Sequence, residues 1–387
     1  MSAPIMVHVF GRTDVGRTRE HNEDAFVVAD LTRGNATLQP EVRSHEVGDR
    51  GTLFMVADGM GGAAAGEIAS AMAIEVVLRE LNEAMSNVDA PDDEAFATAL
   101  KKATATANTK IHNFALEHPE YRGMGTTATV AGLLGDTLYV AQVGDSRAYL
   151  IRDGKAQQIT KDQSLMQKLI EAGELTEAEA EVSERRNIIL QALGPEAQIK
   201  VDLTHQRVRR GDVLVLCSDG LSGQVKADEI AQVVTEDHED LMSACKRMID
   251  LANASGGPDN ITVITARFEG EGLVRPSLTD PVGHATFPLS TDPVPSIPAP
   301  RRSWAGTRTT GATAAGRGSS SKLPPEAFVL TSSLPRDDAA LRRSRGALIA
   351  LLLLVILLAG ATWWVYSTAK QVVAPRQTPA APPAARP

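Results

Sequence analysis

Cysteine is nearly absent from this 387-residue chain. The two present, Cys217 in an apolar run and Cys245 in a helical stretch, suggest neither a disulfide framework nor a cysteine-based zinc site. The globular part is therefore expected to be cytosolic. Aromatic residues are few, and no internal repeat stands out. Met1-Ser2-Ala3-Pro4 lacks a basic flank leading into a long apolar core, so no signal peptide is read there. Positive charge is scarce in the first 271 residues. There, 26 Lys and Arg face 43 Asp and Glu, a net of -17 that speaks against nucleic-acid binding and favours cations.

What the chain does have is 43% hydrophobic content, enough for a sizeable core in one large or two ordinary domains. Globular patterning covers residues 1–271. After Glu271 the composition turns to Pro, Ser, Thr, Gly and Arg, and 13 basic residues outnumber 5 acidic ones. Residues 272–345 are read as a disordered linker unable to bury a core. As a flexible coil its roughly 75 residues span on the order of 45–50 Å. Residues 346–366, opening at Gly346 and closing at Tyr366, carry no charge. At about 1.5 Å per residue they are long enough to cross a hydrocarbon core of roughly 30 Å, and they are read as one transmembrane helix. Arg342, Arg343 and Arg345 flank its start, and Trp363, Trp364 and Tyr366 suit the far interface. Positive-inside reasoning puts the globular part in the cytoplasm, on a single-pass anchor in the cell membrane. Residues 367–387 form a short Ala/Pro-rich tail.

Within the globular part, Leu53-Phe54-Met55-Val56-Ala57 reads as a buried strand that stops at Asp58, where glycines let the backbone turn. Strands are also expected at 7–10 and 25–28, with a charged stretch, 16–24, between them. Helical spacing marks 66–85 and 92–116, the second with Asp92 or Asp93 as N-cap, and two such helices suit one sheet face. Residues 124–131 and 138–143 read as a hairpin about Gly135-Asp136. Residues 164–193 are polar and read as a surface flap. A second buried strand, 213–217, ends at Ser218-Asp219-Gly220; helical patterning covers 227–254, and a turn at 256–260 leads into a last strand, 261–266.

Asp58, Asp145, Asp219 and Asp259 each lie beside a Gly or Pro turn at the edge of a β-prone run, and Asp24 sits just before another. Taken singly, each reads as a turn residue. In a folded sheet core, however, strand ends on one side lie together, so five acids can converge. Hard oxygen ligands with neither Cys nor clustered His select Mg²⁺ or Mn²⁺ over zinc. Two such ions about 3.5–4 Å apart lower the pKa of a bridging water and polarise a phosphoryl oxygen.

Six stretches carry a resemblance: Arg19-Glu20-His21-Asn22-Glu23-Asp24, Val56-Ala57-Asp58-Gly59-Met60-Gly61-Gly62, Met124-Gly125-Thr126-Thr127, Gly144-Asp145-Ser146-Arg147, Ser218-Asp219-Gly220-Leu221 and Pro258-Asp259-Asn260-Ile261-Thr262. In that order they resemble the motif set of the metal-dependent type 2C (PPM) serine/threonine protein phosphatases, bacterial type, over about residues 7–268. The resemblance implies an α+β fold, a four-layer α/β/β/α sandwich of two antiparallel sheets flanked by helix pairs, here followed by the linker and transmembrane helix. It implies a binuclear Mn²⁺/Mg²⁺ site in which Asp58 bridges both ions, Gly59 lends its carbonyl to one, and Asp219 and Asp259 complete the other. Asp24 is expected to act through metal-bound water, and Asp145 with Asp219 matches a third, weaker site. Arg19 matches the phosphate-binding arginine, and a guanidinium's fixed fork of donors suits a phosphate. The implied activity is hydrolysis of phosphoserine and phosphothreonine on cytosolic proteins by direct attack of a metal-bridging water. Ser/Thr kinases and their substrates are the expected partners.

One departure stands out. Family members often carry a histidine just after the Asp-Gly turn, a candidate general acid; here Met60 and Ala63 occupy those places. Metal-bound water or His21 are the alternatives, with His21 reading as an ordinary exposed residue, so no general acid is assigned. Thr126 and Thr127 are read as strand and packing residues. The missing histidine also motivates a second reading, a catalytically silent phosphoprotein-binding module at the membrane. Against it, no metal-type aspartate has been lost.

Overall fold

The computed structural model describes residues 3–33, 35–36, 44–61, 65–86, 88, 91–277 and 280–290. The chain divides into two units, 1–298 and 299–387, and every described residue lies in the first. The expected membrane span at 346–366 and the tail lie outside the described residues. Among the described residues no helix is long and apolar enough to cross a membrane.

The first half runs β1 (Met6–Asp14), β2 (Asp24–Asp30), β3 (Asn35–Ala36), β4 (Ser44–Glu46), β5 (Thr52–Met60), α1 (Ala65–Ser86) and α2 (Asp93–Glu117). Asp92 caps α2 by accepting from the Ala95 amide at 2.8 Å. Then come β6 (Gly125–Thr126), β7 (Ala128–Leu134), β8 (Thr137–Val143), β9 (Arg147–Arg152) and β10 (Lys155–Gln158). The flap holds α3 (Leu165–Glu171) and α4 (Glu177–Glu181). The rest is β11 (Asp202–Arg207), β12 (Val213–Cys217), α5 (Asp219–Ser222), α6 (Ala227–Glu236), α7 (Leu241–Ala254) and β13 (Ile261–Glu269).

All pairings between these strands are antiparallel, in two sheets. One has the order β10-β9-β12-β13-β1-β4; the other is β11-β8-β7-β5-β2-β3, with β6 added beside β5. Three apolar layers hold them. Leu53, Met55 and Ala57 of β5 face α1 and α2, while Phe54 and Val56 face the opposite sheet. On β12, Leu214 and Leu216 face the inter-sheet layer and Val213, Val215 and Cys217 face α6 and α7. Because successive side chains point to opposite faces and both faces are covered, these strands read as unbroken apolar runs. The result is the expected four-layer order, helices outside and sheets inside. Cys217 and Cys245 are both free and buried.

Two expectations are corrected. The domain does not end at Glu271: Leu273 is buried, and residues 280–290 cross back over the edge strand β11. The His205 amide donates to the Ala285 carbonyl and the Phe287 amide to the Leu203 carbonyl, each at 2.9 Å. Phe287 then packs edge-on against Tyr139 and His205, and Leu289 is buried in the apolar layer between this sheet and its helices. Apolar residues spaced between prolines were enough to make a strap. The second correction concerns β5, which does not stop at Asp58 but continues through Gly59 to Met60, pairing with Gly125 and Thr126. Glycine is needed at 59 for closeness: a Cβ there would stand 2.3 Å from the Gly66 carbonyl oxygen and 2.5 Å from that of Glu23. The turn comes at Gly61, with φ 134°.

Candidate metal centre and phosphate site

The β2–β5 register sets Asp24 directly opposite Asp58. Residues so paired share a face, and strand parity assigns these two to the face that Val28, Phe54 and Val56 turn towards the other sheet. Two carboxylates therefore sit at the open end of the inter-sheet layer. The opposite sheet supplies Asp219, just after β12, and Asp259, just before β13; the β8–β9 bend supplies Asp145.

Hydroxyl groups fix these acids across long sequence separations. Ser218 Oγ and Thr262 Oγ1 donate to Asp24 Oδ2 at 2.8 and 2.7 Å, tying one sheet to the other. The Asp58 backbone is clamped on both sides: its amide donates to Thr127 Oγ1 at 3.0 Å, and its carbonyl accepts from Thr126 Oγ1 and from the Thr127 amide, each at 2.9 Å. Thr127 Oγ1 also bonds Ser146 Oγ at 2.7 Å, joining the Asp58 clamp to the bend that carries Asp145. Thr126 and Thr127 were expected only to pack; they hold Asp58 in place. Ser218, Thr262 and Asn260 carried no functional reading in the sequence beyond their place in motifs.

Electrostatics mark the cluster. Burial, reinforced by Asp24, Asp219, Asp145 and Asp259, pushes the Asp58 carboxyl well above the usual carboxylate range. Asp24 is raised to about 7, chiefly by burial; Thr262 and Ser218 pull it down, while Asp219 and Asp259 add to the rise. Asp145 is likewise raised to about 7 by burial and then by Asp219 and Asp162, and Asp219 is raised by burial and then by Asp259. Asp24, Asp145 and Asp219 each have a buried Oδ1 with no hydrogen-bond partner.

Among the described residues no three His, Cys, Asp or Glu side chains are closed around one point as a ready-made metal cage. Asp219 and Asp259 stand close enough to add to the rise of Asp24, and Asp24, Asp145, Asp219 and Asp259 to that of Asp58. Their donor chemistry nonetheless fits a hard divalent cation: oxygen only, with three buried oxygens lacking any partner. Arg19 lies at the rim, half exposed, and Nη2 donates to Asp259 Oδ2 at 2.8 Å. Its ion-pair partner is Asp259. His21 is exposed.

The fold and this acid-lined end of it define a class. The protein phosphatase 2C family profile matches residues 28–261, and the chain belongs to that family. It is 36% identical over 258 residues to the serine/threonine phosphatase stp of Listeria monocytogenes, covering 67% of this chain and 94% of that protein. It is 37% identical over 264 residues to the protein phosphatase PhpP of Streptococcus pneumoniae, covering 67% and 96%. Among solved structures, the Mycobacterium tuberculosis serine/threonine phosphatase PstP/Ppp superposes with a TM-score of 0.57 at 34% identity, over 68% of this chain and 99% of that one. A PstP catalytic domain in complex with two manganese ions gives 0.56 at 33% identity, over 68% and 99%.

Proposed function

We propose that this chain hydrolyses phosphoserine and phosphothreonine on cytosolic proteins, Ser/Thr kinases and their substrates among them, using two Mn²⁺ or Mg²⁺ ions while tethered to the membrane by residues 346–366. The observation that carries the reading is the group of aspartates with unpartnered buried oxygens lying beneath an arginine. Asp58, Asp219, Asp259 and the Gly59 carbonyl are the residues that would hold the ion pair, Asp24 acts beside them, and Asp145 with Asp219 offers a third, weaker site. Once bound, the ions supply Lewis-acid polarisation of the phosphoryl group and a more acidic water.

The remaining work falls to the chain. Arg19 presents its guanidinium fork to the phosphate oxygens from the rim, where half the side chain reaches solvent. Thr126 and Thr127 fix Asp58 by its backbone, and Ser218 and Thr262 hold Asp24 Oδ2, leaving Oδ1 buried without a partner. With Met60 in place of a histidine, no side chain is assigned to protonate the leaving serine or threonine oxygen.

Residues 1–298, the first structural unit, should hydrolyse a phosphopeptide or p-nitrophenyl phosphate only with Mn²⁺ or Mg²⁺. Asp58→Asn and Asp219→Asn should lose that activity. Turnover in EDTA, or full activity in either variant, would sink the proposal; phosphopeptide binding without turnover at saturating Mn²⁺ would favour the silent module instead. For the tether, protease added outside intact cells should leave residues 1–298 whole, and their digestion would reverse the topology.

A further inference from the structure

Asn260, next to Asp259, is 4% exposed, and its amide makes three bonds to one loop. Oδ1 accepts from the Glu23 amide at 2.8 Å, and Nδ2 donates to the carbonyls of Val15 at 3.0 Å and His21 at 2.9 Å. The loop, residues 15–23, has no helix or strand of its own, and it carries Arg19. Both Nδ2 hydrogens are used on two points of the loop six residues apart, and Oδ1 on a third.

Backbone contacts press the same loop onto the same turn. The Arg17 amide donates to the Gly257 carbonyl at 2.8 Å. At Gly16, with φ 81°, a Cβ would stand 2.1 Å from the Asp259 carbonyl oxygen, so only glycine permits that approach. The Asn260 amide N–H donates to Asp259 Oδ1 at 2.9 Å, while Arg19 Nη2 holds Oδ2 of the same carboxylate. One residue thus fixes Asp259 with its backbone and spans the Arg19 loop with its side chain.

We propose that Asn260 is a positioning residue that sets Arg19 relative to the carboxylate cluster, so that the guanidinium and the ions meet one phosphate. The proposal rests on the phosphatase reading above. No other residue type of this size offers two donors and an acceptor in one plane. Aspartate would turn both donors into acceptors facing carbonyls, and alanine would leave the Glu23 amide and the Val15 and His21 carbonyls without this partner.

The test uses the full chain with Asn260→Ala, Asn260→Ser, Arg19→Ala and the Arg19→Ala/Asn260→Ala pair. Readouts are kcat and KM on a phosphothreonine peptide, and calorimetric affinities for inorganic phosphate and for Mn²⁺ alone. Asn260→Ala should raise KM about tenfold, the scale of one charged hydrogen bond. It should leave kcat within about threefold, because binding common to substrate and transition state is what is lost. Phosphate affinity should weaken by the same factor as KM rises, with Mn²⁺ affinity unchanged, and Asn260→Ser, which keeps one hydroxyl, should fall between. In the Arg19→Ala background the second substitution should add nothing. An equal loss with and without Arg19, a fall in kcat at constant KM, or weakened Mn²⁺ binding would overturn the positioning role. Should Asn260→Ala fail to fold, Asn260→Ser and its phosphate titration carry the same comparison. Unchanged KM and phosphate affinity in Arg19→Ala would overturn the phosphate-site reading, and this proposal with it.

Discussion

Replacing Asp24 by asparagine should flatten the pH dependence of stability in the metal-free protein. Asp24 has a folded pKa of about 7 against an ordinary 3.8, so the fold holds a proton that the unfolded chain releases between those values. Stability contributed by that proton is fully present below the unfolded value and is lost as pH rises through the folded one. Between about pH 5 and about pH 8 the loss amounts to about 2.5 kcal/mol for this one group, at about 1.4 kcal/mol per pKa unit. For a domain of this size that is roughly 5–10 °C of melting temperature. His8, His45 and His284 have pKa values lowered first by burial, and they act with the opposite sign, so the difference between wild type and variant is the quantity to read. Asparagine keeps an oxygen for Ser218 and Thr262 and removes the titration. Thermal melts in EDTA across this pH range should show the wild type losing that increment relative to Asp24→Asn. Added Mn²⁺, competing with protons for the same carboxylates, should stabilise the wild type more at the higher pH. Parallel pH profiles for the two proteins, or a Mn²⁺ effect larger in acid, would refute the reasoning.

Other substitutions separate stability from activity. Asp58→Asn should abolish turnover yet raise the melting temperature of the EDTA-treated protein at neutral pH, by about 2–4 °C for each kcal/mol of the burial and repulsion cost removed. Truncation after residue 271 should destabilise the domain by about 3–5 kcal/mol, the scale of losing a buried Leu and a partly buried Phe, through removal of Leu289 and Phe287; urea melts of fragments 1–271 and 1–298 would show it. Arg152 and Asp212 form a buried fork at 2.9 and 2.6 Å, and Asp212→Ala, which strands the guanidinium, should cost about 3–5 kcal/mol in the same assay.

Much of the site was legible because metal chemistry needs acids at strand ends, and Asp-Gly, Gly-Asp and Asp-Asn steps beside apolar runs mark such ends. Asp24 and Asp58 face each other across β2 and β5, and Asp145, Asp219 and Asp259 lie near enough to act on the Asp58 carboxyl. The hydroxyl and amide partners were not legible, because Ser218, Thr262 and Asn260 reach residues more than 190 positions away, and nothing local distinguishes such a serine from a packing one. Gly59 misled for a physical reason: glycine after an acid signals a turn, whereas here it admits two carbonyls against a continuing strand. The strap was hidden by its prolines, which mask the spacing of Val282, Phe287 and Leu289.

The binding of Mn²⁺ itself is the most direct test of the carboxylate cluster. Equilibrium dialysis of residues 1–298 against Mn²⁺, with the bound metal counted, should give two tightly held ions per chain, and Asp58→Asn should lose them. Fewer than two tightly held ions in the wild type, or the same number in Asp58→Asn, would contradict a binuclear centre built on Asp58.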